Sequence, residues 1–181
     1  PLKNSDILNI NFDKVIQNTP TISNDVMYAD FTGRGIVDER CVYSTGHSNG
    51  GGFTYTLLFE REDLFAAIAP SSSAASKYRG RAIPKIPIFH LAGREDSLVK
   101  MRWQQVTIDT LRRAFKSEES KPWGGHPNCE VHPSSEGNFL FTYVHDGGHK
   151  MPNDAGKVFT RFFQNHVRSI KADSLNSSKS L

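Results

Sequence analysis

Cysteine is too scarce in this sequence to build a disulfide framework. Cys41 and Cys129 are the only two among 181 residues, and no C-x-x-C spacing marks a zinc or redox site. The pair could bridge in an oxidising compartment or stay as two buried thiols. Long apolar runs are missing too. The longest, Leu64 to Ala69, falls far short of the roughly 20 residues a transmembrane helix needs, so no membrane span is expected. No basic stretch followed by an apolar segment marks a secretory leader after Pro1. Charge of one sign is also lacking. The 22 Lys and Arg against 19 Asp and Glu leave +3, without the concentrated basic face of a nucleic-acid binder. No P-loop or Rossmann glycine fingerprint occurs. His126 and His132 have no acidic or cysteine partner at a zinc spacing. No cofactor, metal or nucleic-acid partner is therefore expected.

Apolar residues, by contrast, make up 37% of the chain and include 12 Phe. That supplies a core and excludes global disorder. The length suits one domain, expected over residues 1–170, with a Ser/Lys-rich disordered tail over 171–181 that carries a lone sequon, Asn176-Ser177-Ser178.

Periodicity predicts alternating strands and helices. Leu8, Ile10 and Phe12 could form a short strand, and residues 23–32 a short helix. Residues 41–45 read as a buried strand, followed by a glycine-rich turn over 46–52. Residues 53–62 have helix spacing, with Phe53 and Leu57 four apart and Leu58 alongside. Leu64 to Ala69 reads as a strand buried on both faces and ended by Pro70, with residues 71–78 as loop. A strand over 86–91 precedes a helix over 99–115. That helix points Ile108, Leu111 and Phe115 inward and turns Arg112 and Arg113 to solvent. Residues 116–138 read as a long loop, 139–144 as a strand, and 154–170 as a final amphipathic helix. Continuous apolar strands alternating with helices argue for a mostly parallel sheet covered on both faces.

The strongest chemical signal is Gly46-His47-Ser48-Asn49-Gly50. It fits G-x-S-x-G between a strand and a helix, the setting of a nucleophile elbow. There a strained turn lifts the serine hydroxyl above the sheet. Small residues at Gly46 and Gly50 let strand and helix nearly touch, and Gly51 and Gly52 add room. The turn also aims the Asn49 N–H, at a helix N-terminus, toward the oxygen of a reacting carbonyl. The bland alternative is a plain glycine-rich connector. A serine nucleophile needs a base, and the base needs an orienting carboxylate. Asp96 follows the strand over 86–91, and His149 follows the strand over 139–144 behind Gly147 and Gly148, which would let it approach closely. Glu95 rivals Asp96. Either acid could instead cap a helix or sit in solvent, and His149 could be a simple turn residue. His47 is expected to fill space beside the nucleophile and His166 to be structural. Lys85, Arg112 and Arg113 are expected on solvated faces.

Three stretches carry a family resemblance: Val37 to Arg40, Val42 to Gly51 with its Ser-Asn-Gly-Gly, and Asp63-Leu64-Phe65-Ala66-Ala67-Ile68-Ala69-Pro70. Together with Gly93 and Asp96, Trp123, Asn128-Cys129, and Gly147-Gly148-His149 with Pro152, they resemble the polyhydroxybutyrate depolymerase and feruloyl esterase-like group of α/β-hydrolases. The resemblance covers roughly residues 24–168. The chain differs at Ala92-Gly93, where the group has His-Gly, at Lys100, where a Pro is common, and at Met151, where a Trp is common. The group also has several strands before the elbow and a His-Gly-type loop that supplies a second oxyanion N–H. No such loop is found in residues 1–40. The resemblance thus implies an α/β-hydrolase sheet apparently lacking its first strands. An exposed edge at residues 41–45 could support self-association. It further implies a secreted serine esterase using Ser48, Asp96 and His149 on polyester, feruloyl or acetyl esters. The alternatives are a non-catalytic or partner-binding remnant of such a hydrolase, and a peptidase or acyltransferase on the same residues.

Overall fold

A computed structural model describes residues 38–169, apart from residue 79. The strand expected at 8–12, the helix at 23–32 and the tail 171–181 with its sequon lie outside these residues. A 3-10 turn, Glu39–Cys41, leads into strand β1 (Tyr43–His47) and helix α1 (Asn49–Glu60). Strands β2 (Ala67–Ser71) and β3 (Ile88–Gly93) are followed by helix α2 (Met101–Ala114). Two short strands, β4 (Lys121–Pro122) and β5 (Cys129–His132), precede β6 (Leu140–His145) and helix α3 (Ala155–Gln164). The sheet order is β1-β2-β3-β6-β5-β4. The first four strands in that order run parallel, and β5 and β4 continue antiparallel.

Side-chain alternation along the central strands feeds two cores. Ala67, Ala69, Phe89, Leu91, Phe141 and Tyr143 point to the face covered by Val158, Phe159 and Phe162 of α3. Ile68, Ile88 and Leu140, at the intervening positions, meet Tyr55 and Leu58 of α1, Ile108 and Leu111 of α2, and Phe115 just after it. The expected sheet with helices on both faces is therefore present. No helix of the described residues is long and apolar enough to cross a membrane.

Several boundaries differ from expectation. β2 begins at Ala67 and passes through Pro70, whereas Leu64 lies in a turn. Pro70 is tolerated because all five residue pairs with β1 are kept. On the other side, Ile68 N–H donates to Pro87 O (3.0 Å) and Ser72 N–H to Leu91 O (2.9 Å). These bonds step by two residues, so the single bond lost is the one that would reach Phe89 O. β1 starts at Tyr43, because Asp38 accepts from Arg40 N–H and folds Glu39–Cys41 into a 3-10 turn. α1 starts at Asn49 and buries Gly51, Thr54, Tyr55 and Leu58, while Phe53 and Leu57 are only half-buried. The supposed loop 116–138 contains β4 and β5. Cys129 pairs with Tyr143 and His132 with Leu140, in a strand whose apolar alternation, Cys129 and Val131 against Glu130 and His132, spans only four residues. α3 ends early because the chain turns back toward β1: Tyr43 Oη donates to His166 O (2.8 Å), and Arg168 N–H to Arg40 O (2.9 Å).

Candidate active site

Ser48 joins β1 to α1 at φ 56° and ψ −117°. For a residue with a Cβ this backbone costs about 1–3 kcal/mol and persists only where the surroundings impose it. Here the Ser48 N–H donates to Ser71 O (2.9 Å), and its carbonyl accepts from Gly52 N–H (3.0 Å). The side chain makes no capping bond to the helix it precedes, which leaves the hydroxyl available. The next residue, Asn49, opens α1, so its N–H has no partner within the helix. A Cβ at Gly46 would lie 2.4 Å from the Gly50 carbonyl carbon and oxygen, so strand and helix do touch. A Cβ at Gly50 would meet nothing within 4 Å. The second steric constraint falls on Gly51, where a Cβ would lie 2.6 Å from Ser71 O and from Ser73 Oγ.

Asp96 and His149 are brought together. The imidazole Nδ1 lies 2.9 Å from Asp96 Oδ2 and 3.1 Å from Oδ1. A carboxylate can only accept, so Nδ1 carries the hydrogen and Nε2 presents its lone pair. The Asp96 side chain is fully buried. Its Oδ1 accepts from Leu98 N–H (2.9 Å) and Val99 N–H (2.8 Å), and its Oδ2 from Gln104 Nε2 (3.3 Å). Burial alone would raise this carboxyl. The bonds from His149, Val99 and Leu98, together with the His149 charge, outweigh it and hold Asp96 below its ordinary value. Glu95 makes no such contact; its N–H donates to Gly147 O (3.2 Å).

His47 connects the two halves of the site. Its ring lies 4.7 Å from that of His149, and its Nδ1 is 3.1 Å from Ser71 Oγ. Burial, then the proximity of His149, pushes His47 down, so it stays a neutral neighbour. The hydroxyl of Ser48 makes no hydrogen bond to His149 among the described residues. Catalytic bonds often tighten only when substrate is bound.

Three residues do more than the sequence reading assigned, two of them named there and one, Gln104, not. Gly93 is the first. A Cβ there would lie 2.5 Å from both Gly147 O and Gly148 O, so the acid loop and the histidine loop meet over this glycine. At Gly148 a Cβ would have only an ordinary contact, at 3.5 Å from Glu95 O. Gln104 is the second. It sits four residues before Ile108 and seven before Leu111, and a polar side chain on that apolar stripe was a readable signal. Gly51 is the third.

Arg112 also departs from expectation: its Nε is buried without a partner. It lines a cavity of about 200 Å³ between α2 and the strands β5 and β6, whose wall includes none of Ser48, Asp96 and His149. Both cysteines are free thiols. Cys129 Sγ lies 3.3 Å from His126 Nδ1, and burial, aided by Asp154, pushes the thiol up to about 12. Such a thiol is not a nucleophile at neutral pH. His126 Nδ1 also accepts from Asn128 N–H (3.2 Å), so its Nε2 donates to Asp154 Oδ2 (2.9 Å). The His166 ring packs tilted against Phe162 and edge-on against Phe141, in keeping with a structural role.

No family model matches the chain. It is 36% identical over 70 residues to a bifunctional acetylxylan esterase/xylanase of Neocallimastix patriciarum, a stretch covering 39% of this chain and 10% of that protein. Among solved structures, a thermostable esterase aligns with a TM-score of 0.59 at 18% identity, over 83% of this chain and 37% of that one. The acetyl xylan esterase from Aspergillus awamori aligns at 0.58 and 15% identity, over 80% of this chain and 66% of that one. A Bacillus cereus carboxylesterase aligns at 0.56 and 14% identity, over 79% and 57%. The chain thus has the α/β-hydrolase fold of these esterases, and it spans less than two thirds of the length of each.

Proposed function

We propose that this chain carries the reaction centre of a serine carboxylic-ester hydrolase. The observation that carries this reading is the bond of His149 Nδ1 to the buried Asp96 (2.9 Å), with the His149 ring 4.7 Å from that of His47, the residue before the strained Ser48. In this reading Ser48 Oγ attacks the ester carbonyl carbon while His149 Nε2 takes the hydroxyl proton. The oxyanion forms against Asn49 N–H. Collapse expels the alcohol, which receives the proton from His149 and leaves an acyl-serine. Water, deprotonated by the same nitrogen, attacks that acyl group and releases the acid with Ser48 restored. Asp96 stays ionised throughout and holds the imidazole in the required tautomer.

Acetyl esters of a plant-wall polysaccharide fit best among the substrates implied by the resemblance. Two of the similar proteins are named for acetyl xylan. A polymeric substrate of this kind would be met outside the cell. Leu98 and Met151, exposed apolar side chains on the loops of Asp96 and His149, would offer it an apolar rim.

Labelling with a fluorophosphonate followed by peptide mass spectrometry tests the centre. The expected result is one adduct, on Ser48, lost in Ser48→Ala together with aryl-acetate hydrolysis. Ester turnover undiminished in Ser48→Ala would overturn the reading. For the substrate, acetate release from acetylated xylan is expected to exceed ferulate release from feruloylated arabinoxylan and cleavage of 3-hydroxybutyrate oligomers. A reversed order would reassign the substrate to the better-cleaved ester.

A further inference from the structure

Three side chains that the proposed reaction does not use lead from the core to Asp96. Tyr55 of α1, His90 of β3 and Gln104 of α2 are each completely buried. Polar atoms at such depth are expected to be paired. Tyr55 Oη lies 2.7 Å from His90 Nδ1. Gln104 Nε2 lies 2.7 Å from Val99 O and 3.3 Å from Asp96 Oδ2. Two polar atoms of the trio are left over, His90 Nε2 and Gln104 Oε1.

One placement of hydrogens fits every bond the group makes and leaves one donor and one acceptor over. Val99 O and the Asp96 carboxylate both accept, so Gln104 turns its NH2 toward them. The reversed amide would set Oε1 against two other oxygens. Tyr55 has no other acceptor among the described residues, so its O–H donates to Nδ1 and the His90 ring carries its hydrogen on Nε2. The one remaining donor, His90 Nε2–H, complements the one remaining acceptor, Gln104 Oε1. Burial pushes His90 down to about 4, and the nearness of Gln104 opposes that.

We propose that His90 and Gln104 are positioning residues for Asp96: His90 Nε2–H donates to Gln104 Oε1, which locks the amide with an N–H on Asp96 Oδ2. The assignment rests on the reading of Asp96 and His149 as orienting acid and base. Every bond from Tyr55 onward donates toward Asp96, so the chain holds the carboxylate in its charged form and in plane for His149. Losing the Gln104 donor concentrates charge on Oδ2 and strengthens the hold of the Asp96–His149 pair on a proton. Hydrolysis then needs a higher pH. The titratable groups that face Asp96 are His149, by hydrogen bond, and His47 and His145, which feel its charge.

The test compares the full chain with Gln104→Met and His90→Phe. In Gln104→Met, kcat for an aryl acetate is expected to fall about tenfold, the effect of one hydrogen bond to a charged group, with KM within about twofold. The acid limb of the pH–rate profile should move up by roughly half a unit. His90→Phe should move it the same way by less. The low-field proton resonance of His149 Nδ1–H, read without substrate, should shift in both variants. A folded Gln104→Met with wild-type limb and resonance would reduce Gln104 to a packing residue and overturn the proposal. A shifted resonance in a protein that hydrolyses no ester would leave the positioning intact and overturn the esterase reading instead. The wild-type chain gives a check that needs no variant: nitrogen-15 correlation spectra should show His90 protonated at Nε2. Protonation at Nδ1 would overturn the proposal.

Discussion

At Ser48 the backbone is held in a conformation that a glycine would adopt more easily, with φ at 56°. In the proposed reaction the hydroxyl is usable only because β1 and α1 impose that turn. Ser48→Gly and Ser48→Ala both delete the hydroxyl, but only the first relieves the strain. In urea denaturation Ser48→Gly should therefore be the more stable of the two by about 1 kcal/mol. Equal stabilities would show that the turn stores no strain. Gly93 is the other critical backbone position. A methyl group there would sit 2.5 Å from two carbonyl oxygens of the histidine loop, so Gly93→Ala should force the Asp96 and His149 loops apart. A stability loss of about 1–3 kcal/mol and a larger proportional loss of ester hydrolysis are expected, measured by denaturation and initial rates. The residues proposed as the reaction centre, Ser48, Asp96 and His149, stood out in the sequence because each sits just after an apolar run. The role of Gly93 did not, because the carbonyls that exclude a Cβ come from a loop distant in sequence.

Between elements, Asp154 does most to join the later part of the chain. It precedes α3, accepts from Tyr143 Oη of β6 (3.0 Å), and accepts from His126 in the turn before β5 (2.9 Å). Asp154→Ala leaves the phenol of Tyr143, a residue 3% exposed, without its acceptor. A loss of about 1–3 kcal/mol is expected in urea denaturation. Ester hydrolysis by the folded fraction should change little, since Asp154 touches none of Ser48, Asp96 and His149. The α2 stripe of Ile108, Leu111 and Phe115 was predicted correctly, because it runs at helical spacing over one face. β5 was not. Four residues of mixed polarity become a strand only because the open edge of β6 is there to pair with them. Pro70 misled for a related reason: whether a missing N–H ends a strand depends on which neighbour that N–H would have faced.

Across the molecule, five histidines are held below their ordinary value, His47, His90, His132, His145 and His166, each with burial as the leading cause. Unfolded, each binds a proton near pH 6.5. Above that pH both states are neutral at these sites and stability does not depend on them. As pH falls below 6.5 the unfolded chain takes up protons that the folded chain refuses, so stability falls. His90, pushed down to about 4, accounts for a loss on the order of 3 kcal/mol by the bottom of that window. The depressed carboxyl of Asp96 works at lower pH: its contribution is present above its unfolded value near 3.9 and is lost below that. Urea denaturation at pH 7.5, 6 and 4.5 should show a steady decline, shallower in His90→Phe. A flat profile would mean that the buried histidines protonate without cost.

By itself the sequence determined the alternation of strands and helices, the two-sided burial of the central strands, and the serine turn. These follow from side-chain spacing and backbone preference, which act within a few residues. Tertiary structure alone decided that Asp96, and not Glu95, holds His149 and that Gly93 lets their loops meet. Each of these is a contact between segments far apart in sequence. Local patterns constrain which way a side chain faces, but only packing determines what it faces.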